Sequence, residues 1–123
     1  MKQKVHSVSY LTKAEFEFKT GVYDLVALPT GAEVVKVSLE VVGNPTAGSV
    51  SVGFKDENNK NYFLSLDGIA ANNADKKNAT SAKEYTATDN KVVVAEVKNA
   101  NATDVKGVLR VLYFLPSVIE VEY

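Results

Sequence analysis

The stretch that decides the fold is Val35-Lys36-Val37-Ser38-Leu39-Glu40-Val41, in which apolar and polar residues alternate without interruption. Successive side chains of a β-strand point to opposite faces, so this alternation buries one face and leaves the other in water. Other segments repeat the same period of two, and none sustains a helical period. We therefore predict an all-β protein. Its longest strand should cover Glu33 to Val42, with one buried face formed by Val35, Val37, Leu39 and Val41.

Turn-forming residues separate the other alternating segments, and the whole chain, residues 1–123, is predicted to be a single β-sandwich domain. About eight to ten short strands with turns every 8–12 residues are typical of an antiparallel β-sandwich of the jelly-roll kind. The predicted strands are Val5–Leu11, Glu15–Lys19, Tyr23–Ala27, Glu33–Val42, Ser49–Lys55, Asn61–Leu66, Glu84–Ala87, Lys91–Lys98, Val105–Leu115 and Val118–Tyr123. The polar segment from Asp67 to Glu84 interrupts the pattern, and only Gly68–Ala71 in it suggests one helical turn.

Two segments, Val92–Val94 and Val108–Leu115, are largely apolar on both faces. A strand of this kind must be covered twice, because an exposed apolar edge promotes aggregation. Either both are central strands whose outer face is covered within the fold, or a partner subunit covers them. The candidate interface residues are therefore Val92, Val94, Val108, Arg110, Leu112 and Phe114.

The composition excludes several classes of function. The 123 residues carry a formal net charge of -1 with acids and bases interspersed, which argues against nucleic-acid binding. Cysteine is absent and His6 is the single histidine, so thiolate and multi-histidine metal sites are excluded. No apolar run is long enough for a membrane span, and Met1–Ser7 is not followed by the apolar core of a signal peptide. We expect no cofactor, no metal ion and no membrane contact, in a protein that is cytoplasmic when synthesised.

No catalytic motif is recognisable, and the chain is predicted not to be an enzyme. Glu15 and Glu17 project from one strand face, but such a pair serves hydrolysis only in a cleft with a matched partner. Their neighbours Phe16 and Phe18 mark the buried face, which leaves the two glutamates in water. An enzyme built on these carboxylates is therefore the weakest of the alternatives.

Polar loops provide the candidate binding residues: Asn44, Asp56, Asn58, Asn59, Asn72 and Asp75. Aromatic residues such as Tyr62 and Phe63 would form a sugar-stacking platform if several were exposed side by side. A carbohydrate-binding module, or an adhesin-like sandwich, is therefore the alternative function, with carbohydrate as the alternative partner. Tryptophan, the preferred stacking residue, is absent from the chain.

Three sequence elements together resemble a known family. A Leu28-Pro29-Thr30-Gly31 turn leads into the long alternating strand, and Val50-Ser51-Val52-Gly53 precedes the aromatic Tyr62-Phe63. Lys106-Gly107-Val108-Leu109-Arg110-Val111 then leads to a strand that ends near Pro116. From about Tyr23 to Pro116 the chain resembles the small β-sandwich structural proteins of tailed phages and prophages, which occur as capsid decoration, head-fibre and tail components.

This resemblance implies a non-enzymatic virion component that acts by self-association and by docking onto other virion proteins. It implies a homo-oligomer, with a trimer favoured, and a location in the virion. The strands at 92–97 and 108–115 would be central or interface strands. The loops at 43–48, 56–61 and 67–84 would face outward or contact the next protein.

Overall fold

The computed structural model describes residues 2–6, 8–45, 47–56, 60–69, 77–100, 104–116 and 118–122. Within these ranges all regular secondary structure is β, in eleven strands. The described residues contain no helix that could span a membrane. The strands are β1 (Lys2–His6), β2 (Ser9–Glu17), β3 (Gly21–Leu28), β4 (Glu33–Val42), β5 (Ser49–Phe54), β6 (Leu64–Leu66), β7 (Asn78–Ser81), β8 (Tyr85–Thr86), β9 (Lys91–Lys98), β10 (Lys106–Phe114) and β11 (Val118–Glu122).

Two antiparallel sheets form the body. The first sheet has the order β2-β10-β4-β7, and β8 pairs with β4 on the same edge as β7. The second sheet has the order β3-β9-β5-β6. Strands that are consecutive in sequence, such as β2 and β3 or β4 and β5, belong to opposite sheets. This alternation between a five-stranded and a four-stranded sheet is the jelly-roll topology, and it confirms the predicted all-β sandwich.

The core lies between the inner faces of the two sheets. Its largest completely buried side chains include Phe18, Leu28, Leu39 and Leu109, with valines from β4, β5, β9 and β10 around them. No charged or polar residue is buried in the described part of the chain. Burial of apolar area is therefore the main stabilising contribution in the interior.

β4 contains a β-bulge that changes the predicted buried face. Leu112 of β10 pairs with Lys36 and the next residue, Tyr113, pairs with Val34, so Val35 is an extra residue on β4. The core face consequently holds Val34, Val37, Leu39 and Val41, while Val35 is half-exposed. The expectation that Val35 belongs to the buried face was wrong, because a bulge shifts the alternation by one residue.

Two strand assignments also differ from the sequence-based prediction. β2 runs unbroken through Thr12 and Lys13, where a gap was expected, and β1 is a separate strand before it. β7 lies inside the polar segment that was expected to lack strands. Its residues pair with β4 through the backbone, so an apolar alternation is not needed to form it. In the suggested helical turn Gly68–Ala71, Gly68 has a φ of +62°, which is not helical, and Ala70 and Ala71 lie outside the described residues.

The chain termini form a small ribbon outside the sandwich. β1 pairs antiparallel with β11, from Lys2 opposite Glu122 to His6 opposite Val118. The backbone N–H of Leu115 donates to the Val8 carbonyl over 2.8 Å and links this ribbon to the end of the first sheet. In the described residues, β1 and β11 pair with no other strand.

Candidate protein interface

The candidate residues from β10 lie on the outer face of the first sheet. Leu112 stands between Leu11 of β2 and Lys36 of β4 in the strand register. Leu11 is 65% exposed, the largest value among the exposed large apolar side chains of the described residues. Together these side chains form a shallow groove of about 230 Å³, called the leucine groove below, lined by Leu11, Lys36, Ser38, Arg110 and Leu112.

Basic side chains border the leucine groove. The Arg110 guanidinium lies 3.9 Å from a Glu40 carboxylate oxygen, and the Lys13 ammonium lies 4.0 Å from Glu15. Within the described residues Lys36 has no acidic partner. The groove thus combines an apolar floor with a rim on which the charge of Lys36 is not balanced by a described carboxylate. Such a surface suits an apolar segment that also carries carboxylates.

Further exposed apolar residues lie at the start of β2, near the terminal ribbon. Val8, Tyr10 and Leu11 are three of the five exposed large apolar residues in the described chain. Tyr10 is 50% exposed and contacts Tyr113 edge-on, with ring centroids 5.9 Å apart. The sequence analysis did not select these residues, although Leu11 breaks the polar pattern of the outer face of β2. Leu11 shares the outer face of the sheet with the groove, whereas Tyr10 lies on the side of the core.

Phe114 and His6 meet where the ribbon joins the sandwich. With Glu33, Val35 and Glu84 they line an open depression beside the leucine groove. The His6 imidazole Nδ1 lies 3.2 Å from the Leu115 carbonyl oxygen. His6 therefore helps to hold the ribbon to the body.

The candidate residues Val92 and Val94 lie on the outer face of the second sheet, on the opposite side of the sandwich. Val94 is completely buried although it faces outward. Its neighbours in register are Asp24 of β3 and Gly53 of β5. The Lys55 ammonium reaches Asp24 across β9 over 2.9 Å, so these two side chains pass above Val94. This strand is covered within the fold and Val94 offers no surface to a partner.

Val108 is also nearly inaccessible, at 6% exposure, between Glu15 and Glu40 in the register of the first sheet. β9 and β10 are both central strands, each hydrogen-bonded on two sides. Of the six candidate interface residues, Arg110, Leu112 and Phe114 therefore form one half-exposed surface, and Val92 is half-exposed on the other side.

Apart from the exposed Val22 and the half-exposed Val92, the outer surface of the second sheet is largely polar. A depression near β6 is lined by Ser49, Ser51, Ser65, Glu96 and Lys98, among others. The sandwich is thus asymmetric, with an apolar patch on one outer face and hydroxyl and charged groups on the other.

The candidate binding loops do not come together. Asn44 is exposed at the end of the sandwich where β4 stops, and Asp56 is exposed at the opposite end, after β5. Asp56 accepts a hydrogen bond from the Lys91 ammonium over 3.3 Å, and Asp89 lies 3.4 Å from the same ammonium. The hydrogen bond to Asp56, with the negative charge of Asp89, raises the pKa of Lys91. Asn58, Asn59, Asn72 and Asp75 lie outside the described residues.

The aromatic side chains pack against one another instead of forming a flat row. Tyr62 meets Phe63 and Tyr85 edge-on, and the Lys83 ammonium lies 3.8 Å from the centroid of the Tyr62 ring. Phe54 occupies the middle of this cluster and is buried. Stacking of a sugar requires an open ring face, and Lys83 covers one face of Tyr62.

The described residues hold no cluster of acidic and histidine side chains that would bind a metal ion. Glu15 and Glu17 are 54% and 69% exposed and pair with Lys13 and Lys19 on the surface. They are solvated, as the alternation predicted, and do not face a cleft. The geometry therefore defines a class of protein, a jelly-roll β-sandwich with an apolar groove on one outer face.

Comparison with known proteins identifies the family. A chain in the acid-stable capsid structure of Helicobacter pylori bacteriophage KHP30 is 77% identical, with all of both chains covered and a TM-score of 0.93. The chain belongs to this family of phage capsid proteins. A chain of the capsid asymmetric unit of cyanophage Pam1 has the same fold, with 22% identity, a TM-score of 0.64 and coverage of 88% of this chain and 85% of that one. No protein-family model and no curated protein matches the sequence.

Membership of this family confirms the resemblance to phage structural proteins. The role of the chain is structural and not enzymatic, its location is the virion, and it assembles with other virion proteins.

Proposed function

We propose that the protein is a capsid decoration component that forms a homotrimer and docks onto the protein shell of the virion. The observation that carries this proposal is the 77% identity, over the full length of both chains, to a chain of a phage capsid structure. A relative in a capsid favours a place on the head over a place in the tail or a fibre. The chain would act as one unit over residues 1–123.

The asymmetry of the sandwich supports docking through the first sheet. Its outer face carries the leucine groove, in which Leu11 is the most exposed large apolar side chain of the described residues. The opposite outer face carries serines and the surface ion pair between Lys98 and Glu96. Burial of an apolar patch against protein removes it from water and provides the free energy for association.

Self-association is tested by the mass of the protein in solution. Light scattering coupled to size exclusion, over a wide range of protein concentrations, should give three times the mass of 13.3 kDa. A mass that stays at one chain at every concentration would contradict the trimer.

Docking is tested separately with shells assembled from the major shell protein of the same phage. The purified chain should sediment with these shells in saturable amounts, and electron cryo-microscopy should locate it on their outer surface. Density for the chain in the tail or fibres, with none on the shell, would contradict the decoration role. A glycan array on the same preparation tests carbohydrate binding, the alternative function, for which the packing of Tyr62 gives no support.

A further inference from the structure

β2 is a long and regular strand at the edge of the first sheet. It pairs with β10 over nine residues without a register shift, and it pairs with no other strand of the described chain. The other edge strands of the two sheets are short or irregular. β6, β7 and β8 have three, four and two residues, and β3 contains a bulge between Asp24 and Val26. Short or bulged edges resist the addition of another strand, whereas a long regular edge accepts one.

The backbone groups of β2 that point away from β10 belong to its odd-numbered residues. The ladder between the two strands continues past both ends of β2, because Leu115 donates to the Val8 carbonyl and Phe18 donates to the Val105 carbonyl. Hydrogen-bonded residues alternate along an antiparallel pair, so the even-numbered residues of β2 bond to β10. The N–H and C=O groups of the odd-numbered residues therefore point outward. Those of three residues have no hydrogen-bond partner in the described chain: Leu11, Lys13 and Glu15.

Side chains of opposite charge follow one another along this edge. Lys13 and Glu15 are both 54% exposed on the outer face, with their charged groups 4.0 Å apart. Charges on an edge oppose pairing with an arbitrary strand, because few strands place the opposite charge beside each of them. A second copy of β2 does so when the antiparallel pair is centred on Ala14, since Lys13 of each copy then stands opposite Glu15 of the other. The neighbouring registers place Lys13 opposite Lys13, or Glu15 opposite Glu15, and are therefore disfavoured.

We propose that β2 of one copy pairs antiparallel with β2 of a second copy, in the register that sets Ala14 opposite Ala14. In this register the odd-numbered residues of the two strands oppose each other, so their outward N–H and C=O groups can form a hydrogen-bonded ladder. The first sheets of the two copies then join into one continuous sheet. A two-fold contact of this kind cannot close a ring of three copies. It therefore goes beyond the proposed trimer and would link one trimer to another.

A single cysteine at the centre of the contact tests its register. The natural chain has no cysteine, and Ala14 is half-buried. In the proposed pair the two Ala14 Cα atoms are about 4.5 Å apart, a separation that a disulfide can span. Ala14→Cys should therefore give a disulfide-linked pair of chains when a concentrated solution is oxidised with copper phenanthroline, as seen by non-reducing electrophoresis. Thr12→Cys is the matched control. Thr12 is also half-buried on the same face of β2, but in the proposed pair it lies opposite Phe16 and should not form the linked product.

Charge reversal tests whether a second copy of β2 is the partner strand. In the Ala14→Cys chain, Lys13→Glu sets carboxylates opposite each other, and Glu15→Lys does the same with ammonium groups. Each single reversal should slow disulfide formation roughly tenfold. The two reversals together restore opposite charges across the contact and should recover the original rate. The rate of reaction with a small maleimide shows whether a reversal changes the thiol itself, and thermal unfolding shows that the sandwich is intact.

The outcomes separate this contact from the proposed trimer. If Ala14→Cys forms the linked product no faster than Thr12→Cys, or if the double reversal does not recover the rate, the contact between β2 strands is wrong. A trimer by light scattering without the link at position 14 contradicts only this inference. The link at position 14 in a natural chain whose mass never reaches that of three copies contradicts only the trimer.

Discussion

Gly31 lies directly against Pro116, although 84 residues separate them in sequence. A Cβ atom on Gly31 would be 2.7 Å from the Pro116 Cβ, which is closer than such atoms approach. Gly31 also has a φ of +89°, in the region that favours glycine. The turn between β3 and β4 therefore packs closely against the segment that connects β10 to the terminal ribbon.

Gly31→Ala should lower the free energy of unfolding by about 1–3 kcal/mol, from backbone strain and from the clash with Pro116. Gly68→Ala is the control, because Gly68 has a φ of +62° but nothing within 4 Å of an added Cβ. Urea unfolding should show a smaller loss for the control. Adding Pro116→Gly to Gly31→Ala should recover part of the loss. Simple addition of the two single effects would contradict the steric explanation.

Gly107→Ala should destabilise the protein without any contribution from backbone strain. Gly107 stands opposite Phe16 in the register, and a Cβ on it would lie 2.6 Å from Phe16 Cε2 and closer to two other ring atoms. The overpacking should cost about 1–3 kcal/mol of unfolding free energy. Calorimetry of Gly107→Ala, Phe16→Leu and the double variant measures the coupling between the two positions. If Gly107→Ala lowers the unfolding free energy by the same amount in the natural chain and in the Phe16→Leu variant, the Phe16 ring is not the cause of the destabilisation.

Val94→Ala tests whether the outward-facing valine of β9 is covered by its own chain. Because the Asp24–Lys55 ion pair crosses above it, removal of two methyl groups should cost about 1–3 kcal/mol even in a dilute monomer. Val22→Ala on the same outer face should change stability by no more than about 0.5 kcal/mol. A Val94→Ala variant as stable as the natural chain when dilute, and less stable only in the oligomer, would place the cover in a partner subunit.

The ion pairs of Lys91 should stabilise the folded state, and this stabilisation should be lost at alkaline pH. Its pKa is raised above 10.5 by the hydrogen bond to Asp56 and by the charge of Asp89. A cation whose pKa is higher in the folded state stabilises that state below its unfolded pKa, and the effect disappears as the pH rises through the folded value. Chemical unfolding of the natural chain and of Lys91→Met should therefore differ below about pH 10.5 and converge above it. Comparing the two proteins at the same pH cancels the effects that they share. A difference in unfolding free energy that stays constant across this pH range would contradict the raised pKa of Lys91.

The protomer should tolerate acid. Its described interior contains no charged residue, and each described ion pair has at least one partner that is exposed to water, so each contributes little to stability. Acid unfolding requires carboxylates that are specifically stabilised in the folded state, so the urea midpoint should fall only slightly between about pH 7 and about pH 4. Circular dichroism at each pH gives the midpoint. A cooperative collapse in this range would reveal a stabilising carboxylate that the described ion pairs do not include.

Several strands could be predicted from the sequence because their chemistry is local. Both bounds of β4 and β9 agree with the prediction, since alternating or apolar residues end there at Gly, Pro, Asn or Asp turns. β7 was missed for the opposite reason. An edge strand held by backbone hydrogen bonds to β4 needs no apolar face, so Asn78–Ser81 has no periodic signal.

Only part of the candidate interface could be predicted from the sequence in the same way. The apolar character of Val92–Val94 and Val108–Leu115 predicted central strands or an interface, and both segments are in central strands. The sequence of these segments does not indicate which residues, if any, cover the outer face of each strand. Val94 is covered by Asp24 and Lys55, which lie on two other strands, whereas Leu112 lies beside an exposed Leu11.

The sequence by itself determined that this is a β-sandwich without cysteine chemistry, because residue types and a period of two are properties of each segment alone. The tertiary structure decided the order of the strands, the bulge at Val35 and the difference between the two outer faces. Those features depend on contacts between residues that are distant in the chain. Whether an apolar residue belongs to the core or to an interface depends on which other strand packs against it. Its neighbours in sequence do not indicate which strand that is.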